Sequence, residues 1–161
     1  MHQILVVGYG NPLRGDDGFG GLAAKNVEKR QIPGLKAIIC HQLNPELAAF
    51  LSDSSHAIFF DAVPGDDPGT LNATPVEQCD LSSSGTHHFE PGSLLALSQA
   101  LYGKAPPATL ITATARSFHT GAEISEEVRL AAAKAAEAIV SVAATANFDS
   151  QILSAILHDY R

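Results

Sequence analysis

The chain has 161 residues, of which 45% are hydrophobic and 17% charged, and its formal net charge is −7. This composition is typical of a single compact domain with a buried core and excludes a disordered protein. No apolar run is long enough for a transmembrane helix or a signal peptide. The negative charge, with no cluster of lysine or arginine, argues against nucleic acid and leaves a basic peptide as a partner.

Short apolar runs bounded by turn residues alternate with helical patterns along the chain. Such alternation predicts a mainly parallel sheet with helices on both faces, a three-layer α/β/α arrangement, in one domain over 1–161. In chain order we expect strand 4–7, helix 18–30, strand 35–40, helix 45–52, strand 57–60, edge strand 70–76, a polar loop 81–90, helix 91–101, strand 109–114, helix 125–144 and a short amphipathic turn within 147–161.

Three of the predicted helices have terminal signals. Asn44 is a candidate N-cap for the second helix, with Pro45 at its first position. Gly103 is expected to end the third helix. Ser125 opens the last long helix, and the acids that follow it favour the positive end of the helix dipole.

A glycine-rich loop with two adjacent acids, Asp16 and Asp17, follows the first strand. It resembles a dinucleotide-binding loop but departs from that pattern, since Leu13 stands where the third glycine would fall. No acid for a ribose follows the second strand, and no Gly-Lys-Ser/Thr follows the loop. Two acids in such a loop instead suggest a site for a metal ion or another cation.

Asp61 follows the apolar run 57–60, so a strand there would bring its carboxylate to the same sheet edge as Asp16 and Asp17. The alternative is that Asp61 caps the turn 62–65. Two histidines, His87 and His88, lie in the loop before the third helix. They either face this edge, completing a mixed oxygen and nitrogen ligand set with open positions, or are simply solvated.

Other chemistry-bearing residues give weaker signals. No Gly-x-Ser-x-Gly elbow is present, which argues against a serine hydrolase. Cys40 and Cys79 show no activating neighbours and no metal-binding spacing, so they are expected to be thiols in a reducing cytoplasm. The remaining histidines have no helical His-x₃-His spacing; they are His2, His41, His56, His119 and His158.

Three segments in this order resemble the hydrogenase maturation proteases, which trim the C-terminus of the large subunit of nickel-iron hydrogenases. They are the loop Gly8-x-Gly10-Asn11-x-Leu13-x-x-Asp16-Asp17-Gly18-x-Gly20, the pair Asp61-Ala62 and the segment Thr86-His87-His88. The resemblance spans roughly residues 3 to 140 and leaves the tail beyond about 145 uncovered. It implies a twisted, mostly parallel five-stranded sheet between helices.

The resemblance also implies a site. The second loop acid, the aspartate after the strand and a loop histidine would surround a metal ion, which assigns Asp17, Asp61 and His88 as ligands. His87 follows the threonine directly, as the family histidine often does, but His88 fits better by its distance to the next helix. The family often has glutamate at the position of Asp17. Asp16 is expected to shape the loop and to cap the first helix.

The implied activity is that of an endopeptidase in the cytoplasm, with Asp17 and Asp61 as its catalytic acids. Nickel would arrive bound to the immature large subunit, and a monomeric protease would recognise that ion and release a C-terminal peptide. Zinc or cadmium would be able to occupy the site in vitro. Either the metal activates water or a carboxylate serves as the base.

Two other functions remain open from the sequence. A receiver-type phospho-acceptor domain also has paired acids after its first strand and an aspartate after its third. It requires a lysine after the last strand, where this chain has Ala115-Arg116-Ser117. A non-catalytic nickel chaperone would have the same ligands and no cleavage activity.

Overall fold

The computed structural model describes residues 3–81 and 89–159. Five strands and five α-helices occur within these segments, together with the 3-10 turn Gly15–Gly18. The strands are β1 (Gln3–Tyr9), β2 (Leu35–Cys40), β3 (Ser54–Pro64), β4 (Leu71–Pro75) and β5 (Ala108–Ala115). The helices are α1 (Phe19–Glu28), α2 (Leu47–Ser52), α3 (Pro91–Tyr102), α4 (Glu126–Ala143) and α5 (Ser150–Asp159).

The strands form one sheet in the order β2-β1-β3-β5-β4. Strands β2, β1, β3 and β5 pair in parallel, while β4 lies antiparallel to β5 at the edge. The predicted architecture, a mostly parallel five-stranded sheet between two helical layers, is therefore confirmed. The prediction that the segment around 70–76 is an edge strand also agrees with this order.

Alternating strand residues supply two hydrophobic cores, one on each face of the sheet. One core packs α1, α4 and α5 against residues such as Val6, Ile58 and Ile111. The other packs α2 and α3 against Leu5, Val7 and Phe59. Because parallel strands feed helices on both faces, each of the four parallel strands contributes to both cores.

Two local predictions are wrong. Asn44 does not cap α2, because the helix begins only at Leu47 and the Asn44 Oδ1 atom is buried without a hydrogen-bond partner. Asp61 does not follow the end of a strand, and it does not cap a turn at 62–65. It lies inside β3, which continues to Pro64 because residues 61–64 pair with β5.

The chain end is also more regular than a short turn. It forms the ten-residue helix α5, whose Leu153 and Leu157 side chains are buried in the core shared with α4. In residues 3–81 and 89–159, no helix has the length and apolar character needed to cross a membrane.

The order of the strands creates a switch point between β1 and β3. From β1 the chain moves outward to β2, and it then returns to add β3 on the opposite side of β1. In open α/β sheets, ligands bind at the carboxyl ends of strands at such a point, where the two connections diverge and leave a crevice.

Candidate active site

Tyr9 and Asp61 lie side by side at this switch point. Gly8 of β1 pairs with Phe60 of β3, so the next residue of each strand stands at the same level of the sheet. The Tyr9 hydroxyl donates a hydrogen bond to the Asp61 carboxylate. β1 ends here while β3 continues, which opens the region beside Asp61 to ligands.

The environment of Asp61 raises its pKa from 3.8 to about 6, with burial as the largest cause. Hydrogen bonds from the Tyr9 hydroxyl and the Ala62 backbone lower this pKa, and the negative charge of Asp17 raises it. Burial and a neighbouring like charge both penalise the ionised form. The carboxyl group therefore titrates close to neutral pH, as suits a group that exchanges a proton during catalysis.

Asp17 lies in the 3-10 turn and is half-buried. Its Oδ2 accepts a hydrogen bond from the Asn11 backbone N–H at 2.8 Å. Gly10, at φ 134°, passes so close to the Asp17 carbonyl oxygen that a Cβ would overlap it. The negative charge of Asp17 raises the pKa of Asp61. The two carboxylates are therefore close enough to interact.

Of the two roles expected of Asp16, capping the first helix is not found. No side chain caps α1, which begins after the 3-10 turn. Asp16 is instead buried, and its Oδ1 accepts a hydrogen bond of 2.7 Å from the backbone N–H of Ser125, the N-cap residue of α4. Its own N–H donates to the Ser117 carbonyl oxygen at 2.9 Å. Asp16 thus shapes the loop, as predicted, but by tying it to α4.

A pocket of about 390 Å³ opens beside Tyr9 and Asp61. We call it the acidic pocket, because Glu77 and Glu90 also line it. The start of α3 closes one side. Sequence reasoning missed Tyr9 as a member of the site, although its place between two glycines at the end of β1 was a usable signal.

The histidine part of the predicted site, His87 and His88, lies outside the described residues. Within residues 3–81 and 89–159, no three His, Cys, Asp or Glu side chains are grouped closely enough to hold a metal ion. Asp17 and Asp61 supply oxygen donors, which bind divalent ions such as magnesium or manganese and, together with imidazole, nickel or zinc.

Cys40 is not suited to act as a nucleophile at this site. Burial raises the pKa of the Cys40 thiol, which reduces the fraction of reactive thiolate. Cys79 lines the acidic pocket, and both cysteines are free thiols. The arrangement of the described residues is therefore suited to binding a cation and to moving a proton through a carboxyl group.

The fold and the acids near its switch point place the chain in the class of three-layer α/β proteins with an acidic crevice at the carboxyl edge of the sheet. Among solved structures, the chain is similar to the [NiFe] hydrogenase maturation protease HycI from Thermococcus kodakarensis. The two share 22% identity over 88% of this chain and 92% of that one, with a TM-score of 0.71.

Two further structures are similar over nearly the whole chain. For the hydrogenase 2 maturation peptidase from Thaumarchaeota archaeon SCGC_AB-539-E09, identity is 28%, coverage 89% of this chain and 98% of that one, and TM-score 0.66. The hydrogenase maturating endopeptidase HybD from E. coli shares 21% identity over 90% of this chain and 94% of that one, with a TM-score of 0.69.

The resemblance found in the sequence is thus confirmed: the chain has the fold of the hydrogenase maturation proteases. These three solved structures are described as proteases or peptidases, in agreement with the prediction of a hydrolase of that kind. No protein-family model and no curated protein matches the chain.

Proposed function

We propose that this protein is an endopeptidase that removes the C-terminal extension from the nickel-loaded precursor of a [NiFe]-hydrogenase large subunit. The observation that carries the proposal is that the carboxylates of Asp17 and Asp61 interact electrostatically at the switch point of this fold. The free thiols of Cys40 and Cys79 agree with a reaction in the reducing cytoplasm.

In this proposal the nickel ion is part of the substrate. Asp17, Asp61 and His88 bind the ion while the precursor still holds it, which positions the adjacent peptide bond. A water molecule attacks the carbonyl carbon, its proton passes to a carboxylate, and the C–N bond breaks as the leaving amine takes up a proton. In this proposal either Asp17 or Asp61 is the carboxylate that accepts the proton.

A receiver-type function is disfavoured by the topology. Doubly wound receiver domains have the all-parallel strand order 2-1-3-4-5, whereas β4 here is an antiparallel edge strand beyond β5. Arg116, which stands where that class needs a lysine, donates two hydrogen bonds to the Asp66 carbonyl oxygen.

The test is a cleavage assay on nickel-loaded precursors from the same genome, with the released peptide measured by mass spectrometry. Asp17→Asn, Asp61→Asn and His88→Ala should each lower the rate by at least about 100-fold, since each removes a ligand or a base. Asp53→Asn and His158→Ala change exposed residues of the same types and should cleave normally.

A nickel-free precursor should resist the intact protein. Rapid cleavage of that precursor would contradict recognition through the ion, and normal rates in the three site variants would contradict the site itself. Tight binding of the loaded precursor without any cleavage would support the chaperone function instead.

A further inference from the structure

A second pocket lies on the other side of the loop that carries Asp17. Its volume is about 380 Å³, and three elements line it: the glycine-rich loop, α1 with the end of β2, and the start of α4. We call it the glycine-loop pocket. Gly10, Gly15 and Gly18 of the loop contribute to its wall, so the pocket and the carboxylate of Asp17 share one segment of backbone.

The floor of this pocket is apolar, and part of its space exists because position 21 is a glycine without a side chain. Pro12, Leu22, Ile39 and Ile124 supply the apolar surface, and Ile39 is 45% exposed. A Cβ on Gly21 would lie 3.3 Å from the Ile39 side chain. A larger side chain at position 21 would therefore extend into the space between α1 and β2.

The rim of the pocket is basic, in a chain whose net charge is −7. Lys25, His41 and Arg129 line it, and the lining includes no aspartate or glutamate. Glu126 lies 3.6 Å from the Arg129 guanidinium, but both side chains are mostly exposed, so this ion pair holds Arg129 only weakly. The acidic pocket, lined by Asp61 and Glu90, has the opposite charge.

These two pockets lie on opposite sides of the sheet's carboxyl edge. The glycine-loop pocket belongs to the layer of α1 and α4, and the acidic pocket to the layer of α3. An extended peptide advances about 3.3 Å per residue and turns alternate side chains to opposite faces. Such a strand can cross the edge at Asp17 and place an apolar side chain in the glycine-loop pocket.

We propose that the glycine-loop pocket binds an acidic, apolar segment of the precursor in extended conformation, next to the bond that is cleaved. The apolar side chain fills the floor, and flanking carboxylates contact Lys25 and Arg129. This inference rests on the proposed function for the identity of the substrate. The binding preference itself is a property of the pocket and can be measured without cleavage.

The test uses two fluorescein-labelled dodecapeptides, one of alternating leucine and glutamate and one with lysine in place of glutamate. Fluorescence anisotropy at low salt should show that the glutamate peptide binds at least about tenfold more tightly. The net charge of the protein predicts the opposite order, because long-range attraction favours the lysine peptide. Equal binding, preference for lysine or no binding would overturn the inference.

Gly21→Leu and Lys25→Glu should each weaken binding of the glutamate peptide by about tenfold. Leucine is a better helix former than glycine, so the first variant should fold; its circular dichroism melting curve checks this. As controls, Ala100→Leu introduces leucine and Lys104→Glu reverses a charge at exposed sites near the end of α3, and both should bind normally. Unchanged binding in both pocket variants would contradict the assignment.

The cleavage assay separates this inference from the proposed function. Gly21→Leu should raise KM for the loaded precursor and leave kcat nearly unchanged, since Asp17 and Asp61 are untouched. Normal KM with normal cleavage would refute the pocket and leave the peptidase intact. If no precursor is cleaved by the wild-type protein, the proposed function fails while the peptide measurements still decide the pocket.

Discussion

Asp61 is held by the fold at a cost in stability. Its carboxyl group is largely buried beside another acid, and its pKa of about 6 means that the folded state favours the protonated form. The unfolded chain has the ordinary value near 3.8. As the pH rises from about 4 to above 6, the folded state must release a proton that the unfolded state has already lost, so the free energy of unfolding falls.

Asp61→Asn should therefore stabilise the protein at pH 7.5 while abolishing cleavage. Asparagine carries no charge and still offers a carbonyl oxygen to the Tyr9 hydroxyl. The gain should be on the order of 2 kcal/mol at pH 7.5 and should vanish at about pH 3, below both pKa values, where position 61 is neutral in the folded and unfolded states of both proteins. Urea unfolding at the two pH values measures it. A gain that is the same at both would show that burial of charge is not its cause.

Gly10 shows how the loop geometry depends on one residue. At φ 134° its backbone is in a region that L residues rarely adopt, and a Cβ would overlap the Asp17 carbonyl oxygen. Gly10→Ala should lower the free energy of unfolding by at least about 3 kcal/mol and displace Asp17.

Gly103 is the matched control for this change. It also has positive φ, at 76°, but no atom lies within 4 Å of its Cβ position. Gly103→Ala should cost only about 1 kcal/mol of backbone strain and should leave cleavage unchanged. Similar losses of stability in the two variants, measured by urea unfolding, would show that crowding at Asp17 is unimportant.

At the scale of elements, α5 covers one end of the main core. Leu153 is fully buried against this core, whereas its neighbour Ile152 is 38% exposed. Leu153→Ala should lower the free energy of unfolding by about 2–5 kcal/mol, because it removes buried contacts and leaves a cavity. Ile152→Ala should cost less than about 1 kcal/mol. Equal losses in urea unfolding would mean that α5 does not dock as described.

The length of β3 shows where sequence reasoning reaches its limit. Residues 62–65 read Ala-Val-Pro-Gly, which locally favours a turn. In the fold, Ala62 and Val63 pair with Ala113 and Thr114 of β5. This pairing depends on a strand that follows about fifty residues later, so no local pattern contains it. The periodic patterns of α1 and α4, in contrast, were sufficient to predict both helices within two residues.

At the scale of the whole molecule, the alternation of strands and helices was enough to predict the sheet and its layers. It also predicted Asp17 and Asp61 at one edge of the sheet, although Asp61 lies inside β3, which continues to Pro64, rather than after its end. The partners of individual side chains were not predictable. Asp16, and not Asp17, is buried because its carboxylate accepts a hydrogen bond from Ser125. Tyr9 belongs to the site because of the register between β1 and β3.

Charge is also distributed unevenly across the molecule. The net value of −7 favours a basic partner, yet the glycine-loop pocket is lined by basic side chains and the acidic pocket by carboxylates. The prediction of a basic peptide partner, made from net charge alone, therefore agrees with the acidic pocket but not with the glycine-loop pocket.

The hydrogen bond from Ser125 to Asp16 joins residues 109 positions apart in the sequence. The loop before α1 is synthesised early, but it can adopt its final shape only when the start of α4 has emerged and docked. Contacts of such long range form late, because the intervening chain must first lose its conformational entropy. A nascent or truncated chain that lacks α4 would therefore lack the hydrogen bond that fixes the loop beside Asp17, so the proposed peptidase would not be active until translation had nearly finished.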